Sequence, residues 1–428
     1  MPWQSPISPG ISWYEATVGD RPEYAALDGS VEADVAIVGG GFTGLQAAYN
    51  LAQKGVRVVL IEAHRFGDGA SGRNGGQLGT GQRAEAESLE AELGFERAKA
   101  LFDLAENAKQ HIHDFANAQN LDIEYIPGQL NVSHKESYEK EFRDHIEIAA
   151  TRFGYPHMHY MDRAETEERV GSKRFFFGLR DTGTGHIHPM KLLVGIARAA
   201  QAAGASLHEK TPALKIERAG GKAVITTAKG TIRADKALIA CNAYIGNLEP
   251  KTADHVMPIR SFIGATVPLD KFPSVIPGGE AIADTRFVVR YFRKTRDGRL
   301  LFGGREAYTS DNPDDMTPPI RRQIEEVYPE LKSIELTHAW GGSVGITMPR
   351  KPYVREVMPG ITTIGGYSGH GVMLSNYCGK LYAEDVTGGS TELDHLKALK
   401  IPAFPGGPRF RSPLLFLAMT WYALRDKL

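Results

Sequence analysis

The strongest chemical signal in the chain is a glycine-spaced turn with an acidic residue downstream. Gly39-Gly40-Gly41-Phe42-Thr43-Gly44 places glycines where backbone must turn tightly (Gly39), approach a pyrophosphate (Gly41) and pack closely against a strand (Gly44). A helix opening at such a turn offers free N–H groups and a partial positive charge to phosphates, with Phe42 and Thr43 in its first turn. Glu62, 18 residues beyond Gly44, is spaced to accept hydrogen bonds from a ribose.

The flanks decide that this turn is functional. Val35-Ala36-Ile37-Val38 is a short apolar strand run before it, and Leu45, Ala48, Leu51 and Ala52 give the following helix a buried stripe. Gly55 suits the residue just past the helix end, and Val56 to Ile61 is a second strand run closed by Glu62. Strand, glycine turn, helix, strand and acid bind the ADP half of a dinucleotide. A second match at Gly67, Gly69 and Gly72 lacks a helix-period pattern after it.

Beyond this unit the layout chooses between dinucleotides. A glycine-dense loop runs from Gly67 to Gly81, and charged helical regions cover about 85–119 and 135–152. Ile123 to Val132 resembles a strand bent at Pro127-Gly128, and His188-Pro189 begins a helix ended by Gly204. Ala213 to Thr227 reads as strand–turn–strand around Gly220-Gly221, and Thr231 to Ala240 as a further strand. Arg286 to Arg293 and Arg299 to Phe302 flank the Asp297-Gly298 turn, a hairpin signal. A nicotinamide dehydrogenase would continue into a second βαβαβ half; this chain turns to long helices and antiparallel hairpins instead. One nucleotide fold with inserted segments and a separate sheet favours a cofactor held along its whole length, which means FAD.

Composition narrows the class. The length of 428 residues allows two or three domains. A net charge of −1 gives no global field toward nucleic acid or an anionic membrane, so neither is an expected partner. Cys241 and Cys378 have no metal or redox spacing and read as buried thiols, which fits a cytoplasmic protein; no metal is expected. No apolar run reaches the roughly 20 residues of a membrane span or forms a signal peptide. Leu414 to Leu424, introduced by Ser412-Pro413, reads as a short C-terminal helix, and Trp3, Trp13 and Tyr14 as anchors of an N-terminal arm on the surface.

Several spaced motifs together resemble the D-amino-acid oxidase superfamily of flavoproteins: Glu62-Ala63, Gly69-Ala70-Ser71-Gly72-Arg73-Asn74-Gly75-Gly76-Gln77, His186-Ile187-His188-Pro189 and Gly366-Tyr367-Ser368-Gly369-His370-Gly371-Val372. The resemblance runs from about residue 12 to the C-terminus and is strongest to members that oxidise gamma-glutamylputrescine. It implies an α/β fold: a Rossmann-like, glutathione-reductase-like βαβ FAD domain from residues 1–85, 186–250 and 338–428. An α+β substrate domain with a mainly antiparallel sheet, residues 86–185 and 251–337, would cover one flavin face. It also implies oxidation of a C–N bond by hydride transfer to flavin N5, the imine hydrolysing to an aldehyde and ammonia, and O₂ reoxidising the flavin to give H₂O₂. An amino-acid dehydrogenase feeding a quinone, a flavin-binding protein without an amine substrate, and a nicotinamide dehydrogenase are the other readings.

Site roles follow from the same resemblance. Gly369-His370-Gly371-Val372 precedes a helix whose N–H groups suit the negative charge that develops at flavin N1–O2. Ser71 to Gln77 runs beside the pyrophosphate and flavin, Arg73 pairing with a phosphate or a substrate carboxylate; Ala213 completes the expected cofactor contacts. An alkylamine of pKa near 10 must lose its proton before releasing hydride, and lowering that pKa by about three units takes about 4 kcal/mol. His186, His188, Tyr291 and His370 are candidate proton acceptors, and Arg290, Arg293 or Arg305 a candidate carboxylate partner. Sarcosine-oxidising relatives carry a carboxylate-binding lysine where this chain has Met373, so N-methyl amino acids are not the expected substrates; their oxygen-activating lysine aligns near apolar Leu300-Leu301, which leaves oxidase and dehydrogenase both open. Trp340 to Pro349 contains no cysteine, so FAD is expected to be non-covalent.

Overall fold

Apolar runs that alternate with helices become parallel strands buried on both faces. In the computed structural model, which describes residues 11–307 and 315–406, Val31–Val38 is such a strand, with Val35 to Val38 all buried. It pairs in parallel with Val58–Ile61 on one side and Thr231–Ile239 on the other. Ser206–His208 extends the sheet beyond Val58–Ile61, and Ile361–Gly365 pairs in parallel with the far half of Thr231–Ile239. The near half of that strand instead takes the hairpin Lys215–Ala219 and Lys222–Thr226. Tyr353–Met358 closes the edge, making eight strands among the described residues.

Helix Phe42–Gln53 packs on this sheet through fully buried Leu45, Ala48 and Leu51, each larger side chain contributing about 1.5–3 kcal/mol. Gly55 sits at φ +76°, the left-handed stop expected of it. Helix Gly371–Val386 lies against Phe42–Gln53 so closely that a Cβ on Gly379 would stand 2.4 Å from the Thr43 carbonyl oxygen. The contact is locked by Thr43 Oγ1 and the Tyr367 hydroxyl at 2.7 Å.

The second sheet has nine strands among the described residues and is mostly antiparallel. Its path is Leu336–Ile346, Met257–Pro268, Arg299–Ala307, Tyr291–Lys294, Ala281–Asp284, Ile126–Val132, Gly178–His186 and Gln77–Leu78, with Met158–Met161 beside Gly178–His186. The bend foreseen at Pro127-Gly128 is a register shift against Gly178–His186, with Gly128 at φ +93°. The boundary expected at residue 338 falls inside Leu336–Ile346, which pairs along its length with Met257–Pro268 and so belongs to this sheet. The charged region after residue 85 is two helices, Ala86–Leu93 and Phe95–Ala118, divided at Gly94.

The N-terminal arm is not only a surface feature. Ser12 caps a helix, Trp13–Thr17, whose Trp13 and Tyr14 are buried in the larger core. Trp3 and the helix read at Leu414 to Leu424 lie outside the described residues. Among the described residues no helix is long and apolar enough to cross a membrane, no acidic, histidine or cysteine group could hold a metal ion, and both cysteines are free.

The first turn has no room for a side chain at Gly44, where a Cβ would stand 1.9 Å from the Gly39 carbonyl oxygen. Gly44→Ala is expected to destabilise the protein by about 1–3 kcal/mol, read as a lower urea midpoint at unchanged slope. An unmoved midpoint would show that the turn relaxes freely.

Candidate functional site

The glycine turn is held from two sides. Gly39 has φ +111°, and a Cβ there would meet the Ala240 carbonyl oxygen at 2.7 Å. Glu62 accepts from the Gly40 N–H at 2.7 Å and from the His64 N–H at 3.0 Å. Burial pushes its carboxyl above the ordinary range, and those two bonds oppose the shift. The helix end is less open than the spacing suggested: the Phe42 N–H donates to Ser71 Oγ at 3.0 Å, which ties the turn to the next loop.

That loop is built largely by its own side chains. Ala70–Gly72 forms a 3₁₀ turn. Asn74 Nδ2 donates to the Ala70 and Ser71 carbonyls at 3.0 and 2.9 Å, and its Oδ1 accepts from Gly76 N–H at 2.8 Å. Arg73 is buried rather than a mobile surface residue; its Nη1 donates to the Gly341 carbonyl at 3.1 Å, and its own carbonyl accepts from Trp340 Nε1 at 3.2 Å. Arg293, one of the carboxylate candidates, pins the loop by donating to the carbonyls of Gly75 at 2.6 Å and Ile187 at 3.0 Å and to the Tyr14 hydroxyl at 3.0 Å. Arg290 pairs with Glu326, and the side chain of Arg305 lies outside the described residues.

The opposite wall comes from the turn after Ile361–Gly365. Ser368 and Gly369 both take left-handed backbone, at φ +54° and +90°, and reverse the chain into helix Gly371–Val386. Ser368 N–H donates to the Gly345 carbonyl at 2.9 Å, and Asn242 Oδ1 accepts from Gly366 N–H at 2.8 Å. The His370 N–H is spent on the Tyr367 carbonyl at 3.0 Å, so the donors that helix can present are those of its first turn, beginning at Gly371.

These pieces enclose one continuous cavity of about 1620 Å³. Of the residues expected at the cofactor, Gly39, Gly41, Phe42, Thr43, Glu62, Ala70, Ser71, Arg73, Asn74, Gly75, Gln77, Ala213, Gly369, His370, Gly371 and Val372 line it, as does Tyr291. Gly44 and Gly76 stand behind the wall; a Cβ on Gly76 would meet the Ile187 carbonyl oxygen at 2.2 Å. The Tyr291 ring covers Gly75, and its hydroxyl lies 3.0 Å from Ser261 Oγ.

The histidines divide. His188 is not on the cavity wall: it caps helix Pro189–Ala202, contacts Thr17 Oγ1 at 3.0 Å and packs between Trp13 and Tyr14. Burial holds its imidazole down at about 3, so it stays neutral, and no reacting amine in the cavity can reach it. His186 is likewise buried, with Nε2 at 2.9 Å from the Gly279 carbonyl. His370 does face the cavity, its ring over the Gly79 backbone, but burial and then Arg83 hold it down at about 4. Even with the amine's pKa lowered by about three units in the site, transfer to His370 would run about three units uphill, about 4 kcal/mol, so His370 is a weak proton acceptor.

Some wall residues carry no sequence signature. Asn242 (φ +46°) follows a strand end, and the Tyr244 hydroxyl accepts from Ser343 N–H at 2.9 Å. The stretch 342–346 lines the cavity from inside a strand that reads as ordinary. Positive backbone at an asparagine is the one cue, and it is visible only once the chain is folded.

FAD fits this architecture. Two helix N-termini with their partial positive charge open on one cavity, a carboxylate stands at the end of the second parallel strand, and glycines clear backbone at the turn between them. The volume exceeds that of an ordinary small-ligand pocket, as an extended dinucleotide with a substrate beside it requires. A family model described as FAD dependent oxidoreductase (DAO) matches residues 34–385. The chain is 68% identical over 427 residues to the probable oxidoreductase OrdL of Rhizobium meliloti (strain 1021), covering 100% of both. It is 33% identical over 420 residues to the gamma-glutamylputrescine oxidoreductase of Escherichia coli (strain K12), covering 97% of this chain and 98% of the relative. The solved glycine oxidase from Geobacillus kaustophilus shares the fold at a TM-score of 0.73 and 22% identity, over 86% of this chain and 99% of that one. The chain belongs to the DAO family of FAD dependent oxidoreductases, and FAD is its cofactor.

Proposed function

We propose that this protein oxidises a C–N bond of gamma-glutamylputrescine or a similar acylated polyamine, yielding an aldehyde and ammonia, with O₂ as electron acceptor and H₂O₂ as product. Non-covalently bound FAD supplies the hydride acceptor. The 33% identity to a gamma-glutamylputrescine oxidoreductase along nearly the whole chain supports the substrate class. The observation that carries the reading is the charge layout of the cavity. Its lining includes Glu85, Glu87, Glu141 and Asp144 on exposed or half-exposed segments, with Arg83, Lys140 and His145 among them, while Arg73 is buried beside the glycine loops.

An acidic entrance draws in the protonated form of an amine, the form that dominates in water. Burial and cations then favour the neutral amine, the form able to give up hydride. Burial raises the Glu85 carboxyl above the usual range; His145 opposes that shift, and Glu141 and Glu87 add to it. Glu87 is held ionised by its 2.8 Å contact with His145, whose own pKa that contact raises. Glu62 and the turn Gly39–Gly41 hold the ADP half, Ser71 to Gly75 run beside the pyrophosphate and ring, and Gly371 and Val372 present donors to the ring. His370 stays neutral and shapes the wall over Gly79; Tyr291 orients the substrate from the sheet side.

Three outcomes follow. Under anaerobic conditions, gamma-glutamylputrescine should bleach the flavin band faster than free polyamines or amino acids do, and aerobic turnover should release H₂O₂ in proportion. Fast anaerobic bleaching without peroxide would replace O₂ by a quinone acceptor. Glu62→Ala removes a charged acceptor worth about 1.5–3 kcal/mol, so FAD should bind roughly 10- to 100-fold more weakly, as titration of the apoprotein would show. His370→Ala should slow flavin reduction while leaving FAD affinity nearly unchanged. A group protonated only near pH 4 adds no inflection between pH 5.5 and 8, so the variant's profile over that range should parallel the parent's. Unchanged reduction kinetics would remove His370 from the site.

A further inference from the structure

We infer that Arg350, lying over the ring of Phe287 at the cavity wall, binds the carboxylate at the acyl end of the substrate, an inference that rests on the acylated-amine function proposed above. A gamma-glutamyl group carries that carboxylate far from the reacting carbon, so the cation that meets it must line the cavity and be uncommitted. The arginines read from the sequence do not qualify: Arg293 is spent on the glycine loop and Arg290 on Glu326, and neither lines the cavity. Of the cations that do line it, Arg286 pairs with Asp284, Lys140 with Asp144 and His145 with Glu87. Arg73 serves the Gly341 carbonyl, and the charge of Arg83 falls on His370. Half-buried Arg350 is different. Its guanidinium carbon stands 5.2 Å from the centre of the Phe287 ring, and among the described residues it pairs with no acid.

The chain holds Arg350 in an uncommon conformation. Its backbone is left-handed, at φ +55°, which residues with a Cβ seldom adopt. Thr347 fixes that turn. Its carbonyl accepts from Arg350 N–H at 3.1 Å, and its hydroxyl donates to the Lys351 carbonyl at 2.7 Å and accepts from Lys351 N–H at 3.0 Å. Thr347 N–H donates to Ser368 Oγ at 3.2 Å, and Lys351 pairs with Glu92, so the turn is moored both to the wall after Ile361–Gly365 and to helix Ala86–Leu93. Phe287 arrives from the bend between Ala281–Asp284 and Tyr291–Lys294. Tyr291 pairs with Gly303, Gly303 with Ile263 and Ile263 with Trp340. Three antiparallel steps send the chain before Tyr291 and the chain after Trp340 toward the same end of the sheet. The two segments meet there, and the ring orders the guanidinium before a ligand arrives.

A guanidinium offers parallel N–H donors to the two oxygens of a carboxylate and repels an ammonium. The reach also fits. About nine bonds separate the oxidised carbon of gamma-glutamylputrescine from its carboxylate carbon, the length of roughly three residues of backbone, about 10–11 Å when extended. Phe287 stands four residues before Tyr291, the tyrosine that covers Gly75, so their Cα atoms lie at most about 14 Å apart. An amine beside Tyr291 thus leaves its distant carboxylate within the span that Phe287 and Arg350 occupy.

The test uses the FAD-loaded enzyme with gamma-glutamylputrescine and with N-butanoylputrescine, which keeps the spacer and the amide and lacks the carboxylate and the amine beside it. Arg350→Met should lower kcat/KM for gamma-glutamylputrescine by about 10-fold, through KM, and leave that for N-butanoylputrescine within about twofold. N-butylglutaramic acid, which has the amide and the carboxylate and no amine, should bind the variant about 10-fold more weakly by calorimetry. Arg350→Gly, which adopts φ +55° without strain, should give the same losses and so separates lost charge from a disturbed turn. Variants that keep the parent's preference and its affinity for N-butylglutaramic acid overturn the carboxylate site while amine oxidation stands. A parent enzyme that oxidises neither amine, yet binds N-butylglutaramic acid through Arg350, overturns the oxidation reading and upholds the site.

Discussion

The structure depends on close backbone contact at the head of one helix. Gly44 lets helix Phe42–Gln53 sit on the Gly39 carbonyl, and Gly379 lets helix Gly371–Val386 sit on the Thr43 carbonyl. At Gly379 the second helix meets the Thr43 carbonyl through backbone, with Gln46 and Asn376 in contact beside that point. Both termini then open on the same cavity, and their partial charges add where an anionic cofactor needs them. A Cβ at Gly379 would push the two helices apart, and one at Gly44 would push the first helix off its own turn.

Around that head the chain spends its polar groups on itself. Asn74 ties its own loop, Arg293 clamps that loop to the chain at Ile187, and Asn242 holds the turn at Gly366. A site positioned by such internal bonds has its geometry set before any ligand arrives, so less ordering is left to binding. The same economy explains the histidines: buried in apolar surroundings, they lose their charge and act as shaped, neutral packing groups.

The substrate side is organised differently. One face of the second sheet lies on its own core and the other on the cavity and the larger core, so strand alternation sorts its residues between the two faces. Asn131 and Tyr291 reach the cavity by that parity, while acidic side chains gather on the exposed or half-exposed segments around Glu85 and Glu141.

Local chemistry determined the nucleotide unit. The glycine spacing, the apolar stripe from Leu45 to Ala52 and the acid at 62 are short-range features, and each names its own conformation. The hairpin at Asp297-Gly298 and the bend at Pro127-Gly128 were legible for the same reason. What only the tertiary structure decided was which distant segments share a wall. Strand Leu336–Ile346 joined the second sheet because its ten-residue pairing with Met257–Pro268 is non-local and leaves no periodic trace that names its partner. His188 and His370 look alike in sequence, each just before a helix, yet one is sealed between Trp13 and Tyr14 and the other lies on the cavity. Burial, and the protonation state that follows from it, belongs to the whole fold and not to a residue and its neighbours in the chain.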